Sequence, residues 1–338
     1  EPSAAAAAEA RLPPRPPFWH GVSFAMANGL EIGYHAPVIR PALDRLDRLG
    51  SDAVSLMPFA FQRHPEVPEL AYLSRSPSSE TDVGMVHAAR AAHRRGMTVL
   101  WKPQIWLPDS WPGEIRMRSE EAWAAWWRGY RRFILHHAFL ARWADARILS
   151  VGVELGATLE REREWRELIA AARLLFPGEL TYAGNWYGDA EKVPFWPLLD
   201  YVGVDAYYPL SGSAEADGEA LSAGAREVRG RLAALARRHG RPLLLTEVGF
   251  AAHEAAWKAP HEEGGPLSVE DQARSYEALF GALGKPSWLA GVFVWKSFSH
   301  EVDGPAGQRP DFRFLGRPAE RVVERYFAAK PAAAAGGR

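Results

Sequence analysis

Two glutamates stand where a carboxylate is costly. Glu154 closes the run Val151-Gly-Val-Glu-Leu155, and Glu247 interrupts the run Leu243-Leu-Leu-Thr-Glu-Val-Gly249. Each would be partly desolvated by apolar neighbours, which raises its free energy unless something offsets it. Two such groups, one held protonated and one ionised, are the equipment for breaking a glycosidic bond. An ion pair with a rim cation such as Lys102 would account for one isolated glutamate, but it accounts less well for two, each at the end of an apolar run among aromatic residues. The aromatic content fits: of 14 tryptophans and 10 tyrosines, most belong in a core, and the rest can offer flat ring faces to sugars.

Other chemistries find less support. The chain has no cysteine, which excludes disulfides, thiolate metal sites and a cysteine nucleophile. Among eleven histidines, the adjacent His136 and His137 point to different helix faces and no His-Glu-x-x-His pattern occurs, so no metal is expected. There is no Gly-x-Ser-x-Gly elbow, and no Gly-rich phosphate loop follows the first apolar run. A formal charge of −1 offers no field for a polyanion, so nucleic acid is not an expected partner. No run approaches the roughly 18 apolar residues of a membrane span. No cofactor is expected.

The elements that must position the glutamates follow from periodicity. Eight short apolar runs read as strands: His20–Met26, Ala53–Phe61, Thr98–Trp106, Ile148–Leu155, Leu180–Trp186, Tyr201–Tyr208, Pro242–Phe250 and Gly291–Phe298. Helical segments lie between them at Pro37–Leu49, Ser79–Arg95, Ser119–Trp143, Glu160–Phe176, Asp217–His239, Ser268–Leu283 and Arg317–Ala329. The link Tyr187–Asp200 has room only for a short helix. Ser119 ahead of Glu120 and Glu121 marks a helix start, and Gly50 and Gly96 mark helix ends. Trp123, Trp126 and Trp127 sit at helical spacing and are expected in the core. This alternation predicts the α/β class and a single (β/α)₈ TIM barrel, whose active site lies at the carboxyl ends of its strands. The barrel is expected to span residues 18–329. The Ala- and Pro-rich segment 1–17 reads as a flexible tether and 330–338 as a disordered tail. The pair Glu154 and Glu247 then faces across the barrel mouth from the fourth and seventh strands.

The motifs Gly21-Val-Ser-Phe24, Ser55-Leu-Met-Pro-Phe-Ala-Phe-Gln62, Lys102-Pro-Gln-Ile-Trp106, Gly152-Val-Glu-Leu155, Tyr182-Ala-Gly-Asn-Trp186, Asp200-Tyr-Val-Gly-Val-Asp-Ala-Tyr-Tyr208, Thr246-Glu-Val-Gly249 and Trp295-Lys296 run nearly end to end. In their order and spacing the chain resembles glycoside hydrolase family 113, a group of retaining β-mannanases in clan A. The resemblance implies Glu154 as acid/base, Glu247 as nucleophile, and a double displacement on mannan, glucomannan or manno-oligosaccharides, with carboxyl groups roughly 5 Å apart. Beside that pair, Tyr207 would donate to the nucleophile, its alternative being a core aromatic, and Trp106, Trp186 and Trp295 would be stacking platforms at the mouth, their alternative being packing. Lys102, Gln104 and Asp205 would bond sugar hydroxyls or, alternatively, only brace the rim. Two departures stand out. The clan's asparagine before the acid/base is Val153 here, leaving Asn185 to reach a sugar hydroxyl, and a second tryptophan two positions after Trp295 is Ser297. A β-mannosidase or transglycosylase on the same barrel is the alternative, and an inactive carbohydrate-binding barrel is the alternative from another class. The expected partner is an oligo- or polysaccharide, the expected state a monomer, and the expected location secreted, periplasmic or at the cell envelope.

Overall fold

The structure is a computed structural model, and it describes residues 18–27, 31–72, 79–300 and 309–329. The segments expected to be tether and tail, 1–17 and 330–338, lie outside the described residues. Eight parallel strands close a barrel: β1 (Trp19–Ala25), β2 (Ala53–Leu56), β4 (Thr98–Trp101), β6 (Ile148–Val153), β7 (Glu179–Asn185), β8 (Val202–Asp205), β9 (Leu243–Val248) and β10 (Leu289–Phe298). Their order around the barrel is β1-β10-β9-β8-β7-β6-β4-β2. Two further strands, β3 (Phe59–Phe61) and β5 (Gln104–Trp106), form a separate parallel ribbon. Among the described residues there are seven α-helices: α1 (Ile39–Arg48), α2 (Asp82–His93), α3 (Glu120–Trp143), α4 (Glu162–Leu175), α5 (Gly218–His239), α6 (Val269–Leu283) and α7 (Pro318–Ala328).

Helix boundaries obey local chemistry. Ser119 caps α3 by accepting from Ala122 N at 3.2 Å, and Asp217 caps α5 by accepting from Ala220 N at 2.8 Å, each satisfying an orphan N–H of the first turn. Gly50 and Gly96 follow α1 and α2 at φ 88° and 74°, a region that favours glycine. The link Tyr187–Asp200 holds only the single 3₁₀ turn Trp196–Leu198.

The barrel interior is a packed core. Trp19, Ala53, Leu100, Ile148, Tyr201, Leu244, Ala290 and Phe293 form one buried cluster drawn from strands all round the barrel, and Trp19 meets Tyr201 edge to face at 5.6 Å. Gly21 leaves room for the Phe293 ring, which a Cβ there would meet at 2.4 Å. Trp123, Trp126 and Trp127 are buried, as their spacing predicts. Among the described residues no helix is long and apolar enough to cross a membrane.

The second and third apolar runs break where one strand each was expected. Pro58 and Pro103 fall inside them, and proline has no N–H to give to a ladder. The barrel strands therefore stop at Leu56 and Trp101, and the chain resumes beyond each proline in the rim ribbon, with Phe59 opposite Gln104 and Phe61 opposite Trp106.

Candidate active site

The carboxyl ends of the strands open onto a cavity of about 1060 Å³, and both Glu154 and Glu247 line it. The two arrive differently. Glu247 lies within β9 and is 7% exposed. Glu154 was expected inside a strand, but β6 ends at Val153 and Glu154 sits at φ 52°. This left-handed conformation is uncommon for a residue with a side chain. Glu154 N still donates to Ala183 O at 2.8 Å, and Leu155 N donates to the buried Tyr182 hydroxyl at 2.7 Å. Neighbouring β7 thus holds the turn in place.

Donors converge on Glu247. Tyr207 OH donates to Oε2 at 2.6 Å, Gln104 Nε2 donates to Oε1 at 3.3 Å, and Lys102 Nζ donates to Oε1. Lys102 also donates to both Asp205 oxygens, at 3.0 and 3.1 Å, and Thr246 Oγ1 donates to Asp205 Oδ1 at 2.7 Å. Burial opposes the charge on Lys102, but Asp205 and Glu247 more than restore it, so its pKa lies above the usual lysine value. Tyr207 is pushed well above the usual phenol value by burial and by the Glu247 charge, which keeps its proton available for donation.

Glu154 has a different environment. Trp111 Nε1 donates to Oε2 at 2.7 Å and Asn185 Nδ2 donates to Oε1 at 2.8 Å. Burial, then the Asp205 charge and the Glu247 charge, raise its pKa to about 8, with Trp111 and Lys102 pulling the other way. Asp205 is raised to about 7 by burial and by Glu247, against the pull of Lys102 and Thr246. Lys102 thus touches Asp205 and Glu247 but not Glu154, whose carboxyl group burial and the neighbouring charges push towards its protonated form.

Several sequence expectations change. Lys102 and Asp205 were expected on sugar hydroxyls, with bracing as the alternative; both are 0% exposed, and Lys102 pairs with Asp205 and with Glu247. They brace a carboxylate because a buried charge must find its partner inside the protein. Asn185 was also expected on a sugar hydroxyl; its amide instead donates to Glu154, and its Oδ1 accepts from Tyr187 N at 2.6 Å. Trp186 does not line the cavity, and its ring packs against Tyr187, Tyr208 and His261. Gln104, Trp106 and Trp295 do line it, and Tyr207 meets Glu247 from a buried position. The peptide bond between Trp295 and Lys296 is cis.

The residue that sequence reasoning missed is Trp111. It belongs to the loop beyond β5, away from any strand end, and its ring rests on Gly113, where a Cβ would come within 2.1 Å of it. The only local signal is an aromatic set into the turn-forming stretch Ser110-Trp-Pro-Gly113. The 3₁₀ turn after it, Pro112–Glu114, packs on the 3₁₀ turn Gly156–Thr158 that follows Glu154, so the loop and the glutamate are held together.

The model of Glycoside Hydrolase Family 113 matches residues 23–315. No curated protein matches the chain. Among solved structures, a GH113 β-mannanase from Alicyclobacillus acidocaldarius in complex with ManMIm is 29% identical, with 92% of this chain and 97% of that one covered and a TM-score of 0.81. A GH113 β-1,4-mannanase is 22% identical, covers 93% and 99%, and has a TM-score of 0.82. A family 5 subfamily 18 protein from Streptomyces cattleya in complex with GlcNAc is 18% identical, covers 93% and 82%, and has a TM-score of 0.61. These last two likenesses speak for the fold alone.

Proposed function

The chain belongs to glycoside hydrolase family 113, and from that premise we propose that it is a retaining endo-β-1,4-mannanase with Glu247 as nucleophile and Glu154 as acid/base. The observation that carries the reading is the opposite treatment of two carboxyl groups in one cavity. Both carry donors on each oxygen, but Glu247 also takes the Lys102 cation, whereas the donors to Glu154, Trp111 and Asn185, are neutral and burial drives Glu154 towards its neutral acid form. Similarity to a GH113 β-mannanase solved with ManMIm supports mannan as the substrate class.

Glu247 attacks the anomeric carbon while the Glu154 proton passes to the departing glycosidic oxygen, so one C–O bond forms as another breaks. Forming the ester removes the Glu247 charge, one of the causes that hold Glu154 protonated. The Glu154 carboxylate left by the first step then takes a proton from water as that water attacks the anomeric carbon and releases Glu247. Trp111 and Asn185, both donors to Glu154, hold it for this second role. A polymeric substrate favours a secreted, periplasmic or cell-envelope location, which cell fractionation tests.

The mechanism is tested by proton NMR of fresh manno-oligosaccharide digests. The first product formed keeps the β configuration; an inverted first product refutes the double displacement. Glu154→Gln lowers kcat/KM on mannan by about 10²–10⁴, and Glu247→Gln abolishes formation of the covalent intermediate.

A further inference from the structure

A buried carboxyl group that the two-step mechanism does not use lies behind the turn that carries Glu154. Asp189 belongs to the loop between β7 and the 3₁₀ turn Trp196–Leu198, and it is 9% exposed. Its buried Oδ2 accepts no hydrogen bond among the described residues. An acid in that setting is costly to ionise: burial pushes Asp189 up to about 6, against the pull of Lys192 and with a smaller push from Glu191. A side chain held at such a cost calls for a reason.

Contact supplies one. Gly156 opens the 3₁₀ turn Gly156–Thr158 that follows Glu154, and a Cβ there would meet Asp189 Oδ1 at 2.5 Å and Oδ2 at 2.6 Å. Gly156 is not among the glycines of positive φ, so its backbone does not call for glycine, whereas the close approach of the carboxyl group does. Asp189 fills the space that a side chain at 156 would take. The rest of the turn is fixed as well: Thr158 Oγ1 donates to Leu155 O at 2.7 Å, and Trp165 Nε1 donates to Thr158 O at 3.2 Å.

The loop of Asp189 reaches the same glutamate by a second route. Tyr187 N donates to Asn185 Oδ1 at 2.6 Å and Ala190 N donates to Asn185 O at 3.2 Å, while Asn185 Nδ2 donates to Glu154. Ala190 also packs on Gly184, where a Cβ would come within 2.9 Å of Ala190 Cα. Residues 187–190 therefore hold Asn185 on one oxygen of Glu154 and press on the turn behind it. Glu154, at φ 52°, keeps an uncommon conformation only because its surroundings impose it.

We propose that Asp189 is a positioning residue for the acid/base: its carboxyl group wedges the turn after Glu154 against the β7 loop, so that Glu154 keeps the attitude needed to protonate the departing oxygen. The inference rests on the reading of Glu154 as acid/base.

The test compares wild type with Asp189→Ala, Gly156→Ala, the double variant and Asp189→Asn on phenyl and 2,4-dinitrophenyl β-mannobioside. Dinitrophenolate departs without a proton and phenolate needs one. The ratio of kcat/KM on the phenyl substrate to kcat/KM on the dinitrophenyl substrate therefore reads proton delivery by Glu154, and a general loss of folded enzyme cancels from it. Misplacing a general acid forfeits part of its contribution, so the ratio is expected to fall about tenfold in each of Asp189→Ala and Gly156→Ala. It recovers in the double variant, where the new methyl group takes the place of the missing carboxyl group, and it stays near wild type in Asp189→Asn, which keeps the shape. A ratio unchanged in both single variants, or losses that simply multiply in the double variant, overturns the proposal. Should wild type turn over neither mannobioside, crystal structures of the variants decide. A turn 154–158 displaced in Gly156→Ala and returned in the double variant supports the wedge, and a turn unmoved in both single variants overturns it.

Discussion

Replacing Trp111 by phenylalanine removes one hydrogen bond from the proposed acid/base and keeps most of the ring. The indole N–H has no lone pair to offer, so its 2.7 Å bond to Glu154 Oε2 always favours the carboxylate over the acid. A hydrogen bond to a charged group contributes about 1.5–3 kcal/mol. Trp111 is 37% exposed, so solvent competes for both partners and the retained part is nearer 1 kcal/mol, by the discount that applies to exposed charged contacts. At 1.36 kcal/mol per pKa unit, that amounts to about half to one unit. Loss of the donor raises Glu154 further above its value of about 8. The first step needs Glu154 protonated, so the alkaline limb of kcat/KM, which reports the free enzyme, moves to higher pH by that amount. The assay is initial rate on soluble mannan or mannohexaose between pH 6 and 10. A limb that stays in place or moves to lower pH refutes the argument that Trp111 tunes this carboxyl group.

Two further outcomes follow from the same electrostatics. The folded-state pKa of Glu154 lies above the usual 4.5, so its contribution to stability is fully present below that value and is lost as pH rises towards 8. Glu154→Gln cannot ionise, and urea unfolding should show it gaining on wild type from about pH 5 to about pH 8 and levelling off above; a difference that does not vary with pH defeats this. Lys102→Met leaves Asp205 and Glu247 buried without their cation, a loss of about 3–5 kcal/mol that thermal or urea unfolding at pH 7 will detect. Stability within 1 kcal/mol of wild type would mean that the charge is not held as argued.

Much of the barrel is legible in the chain because its signals are local. Alternation between apolar runs and amphipathic segments is carried by neighbouring residues, and so are the caps at Ser119 and Asp217 and the glycines at 50 and 96. Glu154 and Glu247 stand out for the same reason, since a carboxylate in an apolar run contradicts its immediate surroundings. What the chain alone does not convey is which distant groups meet. Lys102 reads as a rim cation until barrel closure seals it between Asp205 and Glu247, and Asn185 reads as a sugar ligand until β7 brings it beside Glu154.

Trp111 carries no periodic signal at all, because a loop owes its course to what it packs against. The prolines at 58 and 103 are visible in sequence, yet that two interrupted strands resume as one paired ribbon depends on the spacing of barrel neighbours β2 and β4. Element types and the two carboxyl groups were thus determined by short-range patterning. Protonation states, bracing partners and the shape of the cleft were decided by tertiary structure, since burial and charge proximity exist only once the barrel has closed.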